Sequence, residues 1–279
     1  MKKYGILAYP AKHSLSPVMH NAAFKELGIE AEYEIFEIAE DGLAEFFERV
    51  RNEPISGLSV SLPYKETIME FLDEVDENAA NVGAVNTVLN RDGKLYGFNT
   101  DYLGAIEALK ESVGQLSGKS AVIMGAGGTA RAIIYGLLKE GVDVRAILNR
   151  NQEKALNMTE DFYKLFEKKI EIGELGPVNR PEADILIQAT SIWTLNPDIT
   201  EEEIKKFCPK EYLEKFEVVM DVVYKPLITP VLDMANELGL TTITAEKMLL
   251  YQAVEQFKLW TKKEAPVDVM RRALNDSLV

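Results

Sequence analysis

The sequence predicts an α/β protein of two domains, the second a doubly wound parallel sheet. Three observations lead there. Apolar strand-like runs alternate with stretches of helical periodicity along most of the chain. A glycine-rich turn, "GAGGTARA" at 125–132, lies between an apolar strand and a helix. Around residue 104 the alternation changes character, from short mixed elements to regular strand–helix units.

Taken in order, "YGILAYP" reads as a buried strand, and "SPVMHNAAFKELG" as a helix with Ser16 at the N-cap, Pro17 in the first turn and Gly28 at its end. "AEYEIFEI" follows as a strand, "DGLAEFFERV" as a helix and "ISGLSVSL" as another strand. "ETIMEFLDEVDENAANVG" reads as largely helical, and "AVNTVLN" and "KLYGFNT" as a hairpin across "RDG". Residues 1–104 are therefore expected to form one α/β unit. "DYLGAIEALKESVG" is helical, and a loop holding "SGK" leads into the strand before the glycine turn. "DVRAILNR", "IEIGEL", "ADILIQAT" and "EVVMDVVY" are four further strand candidates separated by helices or loops, which predicts the parallel sheet over 105–245. Two terminal helices, "AEKMLLYQAVEQFKLWTKKEAP" and "VDVMRRALNDSL", are expected to return residues 246–279 to the first unit.

Composition narrows the function. A chain of 279 residues with 47% hydrophobic and 27% charged residues suits two folded domains. Its net charge of −14 disfavours non-specific attraction to nucleic acid or anionic lipid, so an anionic ligand must meet a local cluster of donors. One cysteine, Cys208, and two histidines allow neither an intramolecular disulfide nor a zinc-type ligand set. No apolar run reaches membrane-spanning length, and the apolar stretch before Pro10 is too short for a signal peptide. The expectation is a cytoplasmic protein, monomer or homodimer, that binds a small molecule and no metal.

The glycine turn identifies one ligand class. Gly125 permits a tight turn, and Gly127 lets backbone approach a pyrophosphate. The helix that starts through Gly128 and Thr129 presents unpaired N–H groups to its charge. Ala126 completes the turn, and Ala130 takes the third glycine position, small enough for close helix packing. This is a Rossmann-type dinucleotide signature. The following strand ends in Asn149 and Arg150 with no acid to hold ribose hydroxyls, and Lys154 follows one turn on, so NADP is favoured over NAD.

A polar stretch supplies the chemistry. In "SVSLPYKE", Ser59 and Ser61 alternate with apolar residues and lead to Lys65, while "GFNTD" contributes Asn99 and Asp101. Hydride transfer to a ketone needs alignment, a donor for the developing alkoxide and a proton, and a lysine beside a carboxylate can meet the last two needs. Lys65 and Asp101 are the catalytic candidates. His13 and His20 are read as structural, and Phe257 and Trp260 as core.

These pieces together resemble the shikimate dehydrogenase family. The motifs run in order: "SLSP" at 14–17, "SLPYKE" at 61–66, "GAVNT" at 83–87, "GFNTDYLG" at 97–104, "GAGGTARA" at 125–132 and "NR" at 149. "ATS" at 189–191, "DVVYKP" at 221–226 and "MLLYQAVEQFKLW" at 248–260 complete the series. The resemblance implies a substrate-binding domain completed by the C-terminal helices, a central NADP-binding domain, and reversible reduction of 3-dehydroshikimate. By motif it implies that Ser14, Ser16, Ser61 and Tyr224 hold the substrate carboxylate, and that Lys65, Asn86, Asp101 and Gln252 hold its ring oxygens. Hydroxyl donors can bind a carboxylate without a buried cation, and an acid and amides can fix a polyol by complementary hydrogen bonds.

Three segments depart from the family pattern. Ser59 stands where the family has Asn, Trp193 where it has Gly, and Ala245 and Lys247 replace two glycines. Two other readings stand beside the main one for that reason: a paralogue acting on quinate or another hydroxylated cyclohexane acid, with NAD, and a dinucleotide-binding protein with little turnover.

Overall fold

The computed structural model describes residues 1–175, 181–190, 192 and 199–278, the side chains of residues 201, 205 and 206 excepted. The chain divides into two compact units, 1–104 with 249–279, and 105–248.

The first unit contains β1 (Lys2–Ala8), α1 (Ser16–Glu26), β2 (Ala31–Glu37), α2 (Leu43–Asn52), β3 (Ile55–Val60), β4 (Glu74–Val75), α3 (Glu77–Val82), β5 (Thr87–Arg91) and β6 (Lys94–Phe98). Its strands form a six-stranded mixed sheet in the order β2-β1-β3-β5-β6-β4. β1 lies parallel to β2 and β3, whereas β5 runs antiparallel both to β3 and to its hairpin partner β6. Leu43, Phe46, Phe47 and Val50 recur at helical spacing on α2, and all are buried in the same core cluster as Leu7, Leu58 and Val88. Burial of each such side chain stabilises by roughly 1.5–3 kcal/mol.

Two local expectations are corrected. Ser16 is the first residue of α1 rather than its cap; Leu15 holds the cap position, and Ser14 Oγ accepts from the Ser16 N–H at 3.2 Å. Residues 66–83 are not one helix but a 3₁₀ turn at Thr67–Phe71, the short β4 and the short α3. Pairing wins there. Asp73 exchanges bonds with Leu95 on β6, through N–H to O at 2.9 Å and Oδ2 from the Leu95 N–H at 2.7 Å, and this draws Glu74 and Val75 onto the sheet.

α4 (Asp101–Val113) carries the chain from residue 104 into the second unit. There follow β7 (Ser120–Met124), α5 (Gly128–Lys139), β8 (Asp143–Leu148), α6 (Gln152–Phe166), β9 (Glu171–Gly173), β10 (Ile185–Gln188), α7 (Glu201–Phe207), α8 (Lys210–Leu213), β11 (Val218–Asp221), α9 (Pro230–Glu237) and β12 (Thr241–Ile243). The sheet is parallel throughout, in the order β12-β11-β10-β7-β8-β9. The order reverses between β7 and β10, which is the switch point of a doubly wound fold. The three-residue β12 is a strand the sequence reading does not contain. Its "TTI" is too short and polar to show a period, and it forms because Val218–Met220 offer it a parallel partner.

α10 (Ala245–Thr261) and α11 (Val267–Asp276) end the chain. α10 buries Phe257 and Trp260, as expected of core residues. Trp260 lies against Gly57 of β3 so closely that an added Cβ would sit 2.5 Å from the indole nitrogen. That nitrogen donates to the Val88 carbonyl at 3.0 Å, tying α10 to β5. α11 packs against α1.

Candidate functional site

In the first unit the structure gathers Lys65, Asn86, Asp101 and Gln252. Lys65 Nζ lies 2.6 Å from Asp101 Oδ2, with their side chains 12% and 6% exposed. A pair so sheltered is weakly screened, and losing one partner would leave an uncompensated buried charge. Asp101 opens α4, and its N–H is held by Asn99 Oδ1 at 3.0 Å, while Asn99 Nδ2 donates to the Ala84 carbonyl at 2.9 Å. This anchoring sets where the carboxylate stands.

Asn86 completes the grip. Its Nδ2 donates to Asp101 Oδ1 at 2.8 Å and reaches Thr100 Oγ1 at 3.0 Å and Gln252 Oε1 at 3.5 Å. Its Oδ1 accepts from the Thr100 N–H and the Thr87 hydroxyl, both at 2.7 Å. Gln252 donates back to the Leu249 carbonyl of its own helix at 2.8 Å. Both carboxylate oxygens of Asp101 are thus engaged, one by an amide and one by an ammonium.

The serines lie at the strand ends of this unit. Leu7 and Val60 are register partners, so Ser61 leaves β3 beside the end of β1, where the chain runs on to Ser14 and Ser16. Ser14 is half-buried, Ser16 buried and Ser61 half-buried. Ser59 does not share a role with Ser61. It is buried, accepts from the Tyr33 hydroxyl at 2.6 Å, and donates to Gln256 Oε1 at 2.7 Å. Burial pushes the Tyr33 phenol above its ordinary range, with the hydroxyls of Ser59 and Ser16 acting in the opposite sense. His20 is fully buried with neither ring nitrogen hydrogen-bonded, stacked on Tyr33 at 4.5 Å. That burial lowers its pKa to about 3, opposed in part by the neighbouring Gln256 amide. It stays neutral in ordinary conditions.

In the second unit the glycine turn has a geometry suited to a ligand. Gly125, at φ +118°, lies so near β10 that a Cβ would sit 2.7 Å from the Ala189 carbonyl oxygen. Ala126 is buried. Gly127 differs, because a Cβ there would meet nothing within 4 Å. It is the N-cap of α5, no side chain caps that helix, and its first turn holds no acid. N–H groups at Gly128, Thr129 and Ala130 therefore begin a twelve-residue helix beside open space, an arrangement that fits an anionic pyrophosphate. Arg131 is committed elsewhere, to Asp161 at 2.9 Å.

Beyond β8, Asn149 is half-buried and its Nδ2 donates to the Asn151 carbonyl at 2.7 Å. Arg150 is exposed and makes no ion pair or side-chain hydrogen bond among the described residues. Asn151 caps α6 by accepting from the Lys154 N–H at 2.9 Å, which sets Lys154, also exposed, one turn into the helix. Tyr224 belongs to this unit, half-buried just after β11, and burial raises its phenol pKa. Lys247 is paired with Glu111 at 3.2 Å and Ser112 Oγ at 3.0 Å, so its charge is directed onto α4. Trp193 lies outside the described residues.

Gln256, Thr87 and Thr100 were not among the residues expected from sequence to matter here. Gln252, Gln256 and Trp260 are spaced i, i+4, i+8 on α10, a signal that would have put both amides on the buried face. Among the described residues there is no group of three or more His, Cys, Asp or Glu placed to hold a metal, and no helix long and apolar enough to cross a membrane.

Comparison with known proteins gives a consistent answer. Family models match residues 6–88 (shikimate dehydrogenase substrate binding domain), 107–243 (shikimate/quinate 5-dehydrogenase) and 247–274 (shikimate 5'-dehydrogenase C-terminal domain). The shikimate dehydrogenase (NADP(+)) of Pyrococcus furiosus is 45% identical over 274 residues, covering 97% of this chain and 94% of that protein. The protein of that name from Methanocaldococcus jannaschii is 39% identical over 281 residues, covering 99% and 97%. A crystal structure of the Thermus thermophilus shikimate 5-dehydrogenase with NADP(H) and shikimate superposes with a TM-score of 0.85 at 33% identity, covering 100% of both chains. A shikimate dehydrogenase crystallised with NADP+ reaches a TM-score of 0.91 at 37% identity, covering 100% of this chain and 96% of the other. With this likeness extending through both units, the chain belongs to the shikimate dehydrogenase family.

Proposed function

We propose that this protein is an oxidoreductase that interconverts 3-dehydroshikimate and shikimate with NADP(H), in the biosynthetic route to aromatic amino acids. The observation that carries the reading is the sheltered Lys65–Asp101 pair locked by Asn86, in a chain whose relatives are named NADP-dependent shikimate dehydrogenases. Residues 1–104 with the C-terminal helices would bind the substrate, and 105–248 the dinucleotide.

The bound dinucleotide supplies or accepts the hydride. The residues of the chain do the rest. Ser14, Ser16 and Ser61 hold the carboxylate of the substrate through hydroxyl donors, while Asn86, Asp101 and Gln252 fix its ring hydroxyls. An ammonium has three donor hydrogens, so Lys65 can hold Asp101 and present a proton to the oxygen at the reacting carbon. In reduction that proton neutralises the developing alkoxide; in oxidation Lys65 receives it back. Asp101 keeps the ammonium aimed.

Gly125 to Ala130 would receive the pyrophosphate on the α5 N-terminus. Asn149, Arg150 and Lys154 would face the phosphate that distinguishes NADP from NAD, Arg150 having no competing carboxylate among the described residues. Operation in the cytoplasm, as monomer or homodimer, belongs to the same proposal. The single Cys208 is buried and requires no oxidising compartment.

The test is nicotinamide absorbance on mixing the purified protein with shikimate or quinate, each with NADP or NAD. Fast reduction with shikimate and NADP is expected. A preference for quinate or NAD would select the paralogue reading, and silence in all four with the cofactor bound would refute both.

A further inference from the structure

The buried polar groups around Asn86 form a chain with a single direction, and two of its links are unambiguous. Gln256 is fully buried, and its Nε2 donates at 3.1 Å to the Asn86 carbonyl, which can only accept. That fixes which end of the Gln256 amide is which. Its Oε1 must then accept from Ser59, which in turn accepts from Tyr33. At the other end, Asn86 Oδ1 accepts from the Thr100 backbone N–H, which can only donate. This fixes the Asn86 amide too.

Thr87 joins the two. Its hydroxyl accepts from Gln256 Nε2 at 3.1 Å, so its own hydrogen is left to donate to Asn86 Oδ1 at 2.7 Å. Asn86 Nδ2 consequently faces Asp101 Oδ1, and Asp101 Oδ2 faces Lys65. The order is Tyr33 to Ser59 to Gln256, then Gln256 to Thr87 to Asn86 to Asp101. Lys65 and Asp101 are the charged members of this cluster; Ser59, Asn86, Thr87, Thr100, Gln252 and Gln256 are neutral, and Tyr33 titrates far above neutrality.

We infer that Gln256 is a positioning residue for the proposed acid–base pair, acting through Thr87 and Asn86 to hold the Asp101 carboxylate in the orientation that Lys65 requires. A chain of this kind is cooperative, because reversing one hydroxyl turns an attraction into two opposed donors or acceptors. Position 256 lies on the C-terminal helix, far from Asp101 in sequence, and touches neither member of the pair. The inference rests on the functional reading above for its catalytic meaning, but the geometry can be tested without turnover.

The variants are Gln256→Leu, Thr87→Val and the double variant, each compared with the wild type. The first readout is the ¹³Cε chemical shift of Lys65 at pH 7, followed by NMR of ¹³C-labelled lysine with Lys65→Arg as the assignment control. Each single variant should displace the Lys65 signal from its wild-type position, because the carboxylate that its ammonium faces is re-aimed. The double variant should displace it no further, because the two residues are links of one chain. An unmoved signal in the singles, or displacements that add, overturns the inference even if melting temperatures fall. Thr87→Val, nearly isosteric, carries the test if Gln256→Leu does not fold. The second readout is kcat with shikimate and NADP, expected to fall about tenfold or more in each variant with a displaced pH profile. A wild type with no turnover would refute the functional reading while the Lys65 chemical shift still decides the chain.

Discussion

Replacing His20 by Phe should remove most of one component of the acid sensitivity of the first unit. The imidazole is fully buried, stacked on Tyr33, 5.1 Å from the ring of Trp260, and has no hydrogen-bond partner at either nitrogen. Its pKa falls from 6.5 to about 3 on folding. The unfolded chain therefore binds a proton that the folded chain refuses, at every pH between those values. Stability is complete above pH 6.5 and declines as pH falls, by about 1.4 kcal/mol per unit. The loss reaches roughly 2.7 kcal/mol at pH 4.5 and about 5 kcal/mol at pH 3, on the scale of an entire domain's stability. Phe keeps the ring stacking and has no proton to take up. Urea unfolding from pH 7.5 to 4.5 would be followed by tryptophan fluorescence in a Trp193→Phe background, so that Trp260 alone reports. The difference between the two proteins isolates the histidine, since the carboxylates are common to both. Parallel pH dependences would refute the argument and mean that His20 is hydrated or hydrogen-bonded in solution.

Lys65→Ala should reduce shikimate turnover by about 100- to 10,000-fold, the scale of a positioned acid or base, and near-normal steady-state rates would remove Lys65 from the proton transfer. Arg150→Ala should weaken NADP relative to NAD by roughly 1.5–3 kcal/mol in titration calorimetry. Its unfolding free energy should change by less than about 0.5 kcal/mol, because the side chain has no ion pair or hydrogen bond among the described residues to lose. Equal loss for the two cofactors would mean that the guanidinium does not read the phosphate. Gly125→Ala and Gly127→Ala should behave oppositely. The first puts a Cβ against the Ala189 carbonyl at positive φ and should cost about 1–3 kcal/mol of stability or more, seen by urea denaturation. The second should cost at most about 1 kcal/mol as a poorer cap, yet lower dinucleotide affinity about tenfold by filling open space. Undiminished binding in Gly127→Ala would show that the ligand does not approach there.

The glycine turn and the elements around it were legible because backbone requirements leave few residues eligible. Gly125 must turn at positive φ beside another strand, and a sequence cannot hide that need. The strand before it is apolar on both faces, as a central parallel strand must be. That Lys65 and Asp101 meet was expected from the polar stretches around them and from the need for a lysine beside a carboxylate. Gln256 was missed although its place one turn before Trp260 puts it on the buried face, since what a buried amide in "VEQFKLW" bonds to is decided by the strand it meets, which the helix sequence does not name. Ser59 is a related case: alternation alone would place it on the face of Ser61, but β3 ends at Val60, and Ser59 is claimed by Tyr33 and Gln256. β12 and the broken stretch from 66 to 83 follow the same rule. Short segments are decided by the partner they find, and the partner is not written in the segment.

The seat of Trp260 on Gly57 has a consequence for biosynthesis. β3 and β5 leave the ribosome long before the indole that covers them, and Phe257, Gln256 and Gln252 arrive with it. During that interval the buried amides and hydroxyls around Asn86 lack their partners, while residues 105–248 are already complete as a unit. The unit in the middle of the chain is thus free to fold first, and the unit that begins the chain is finished last. A released chain truncated after residue 250 should resist protease over 105–248 and be cut within 1–104.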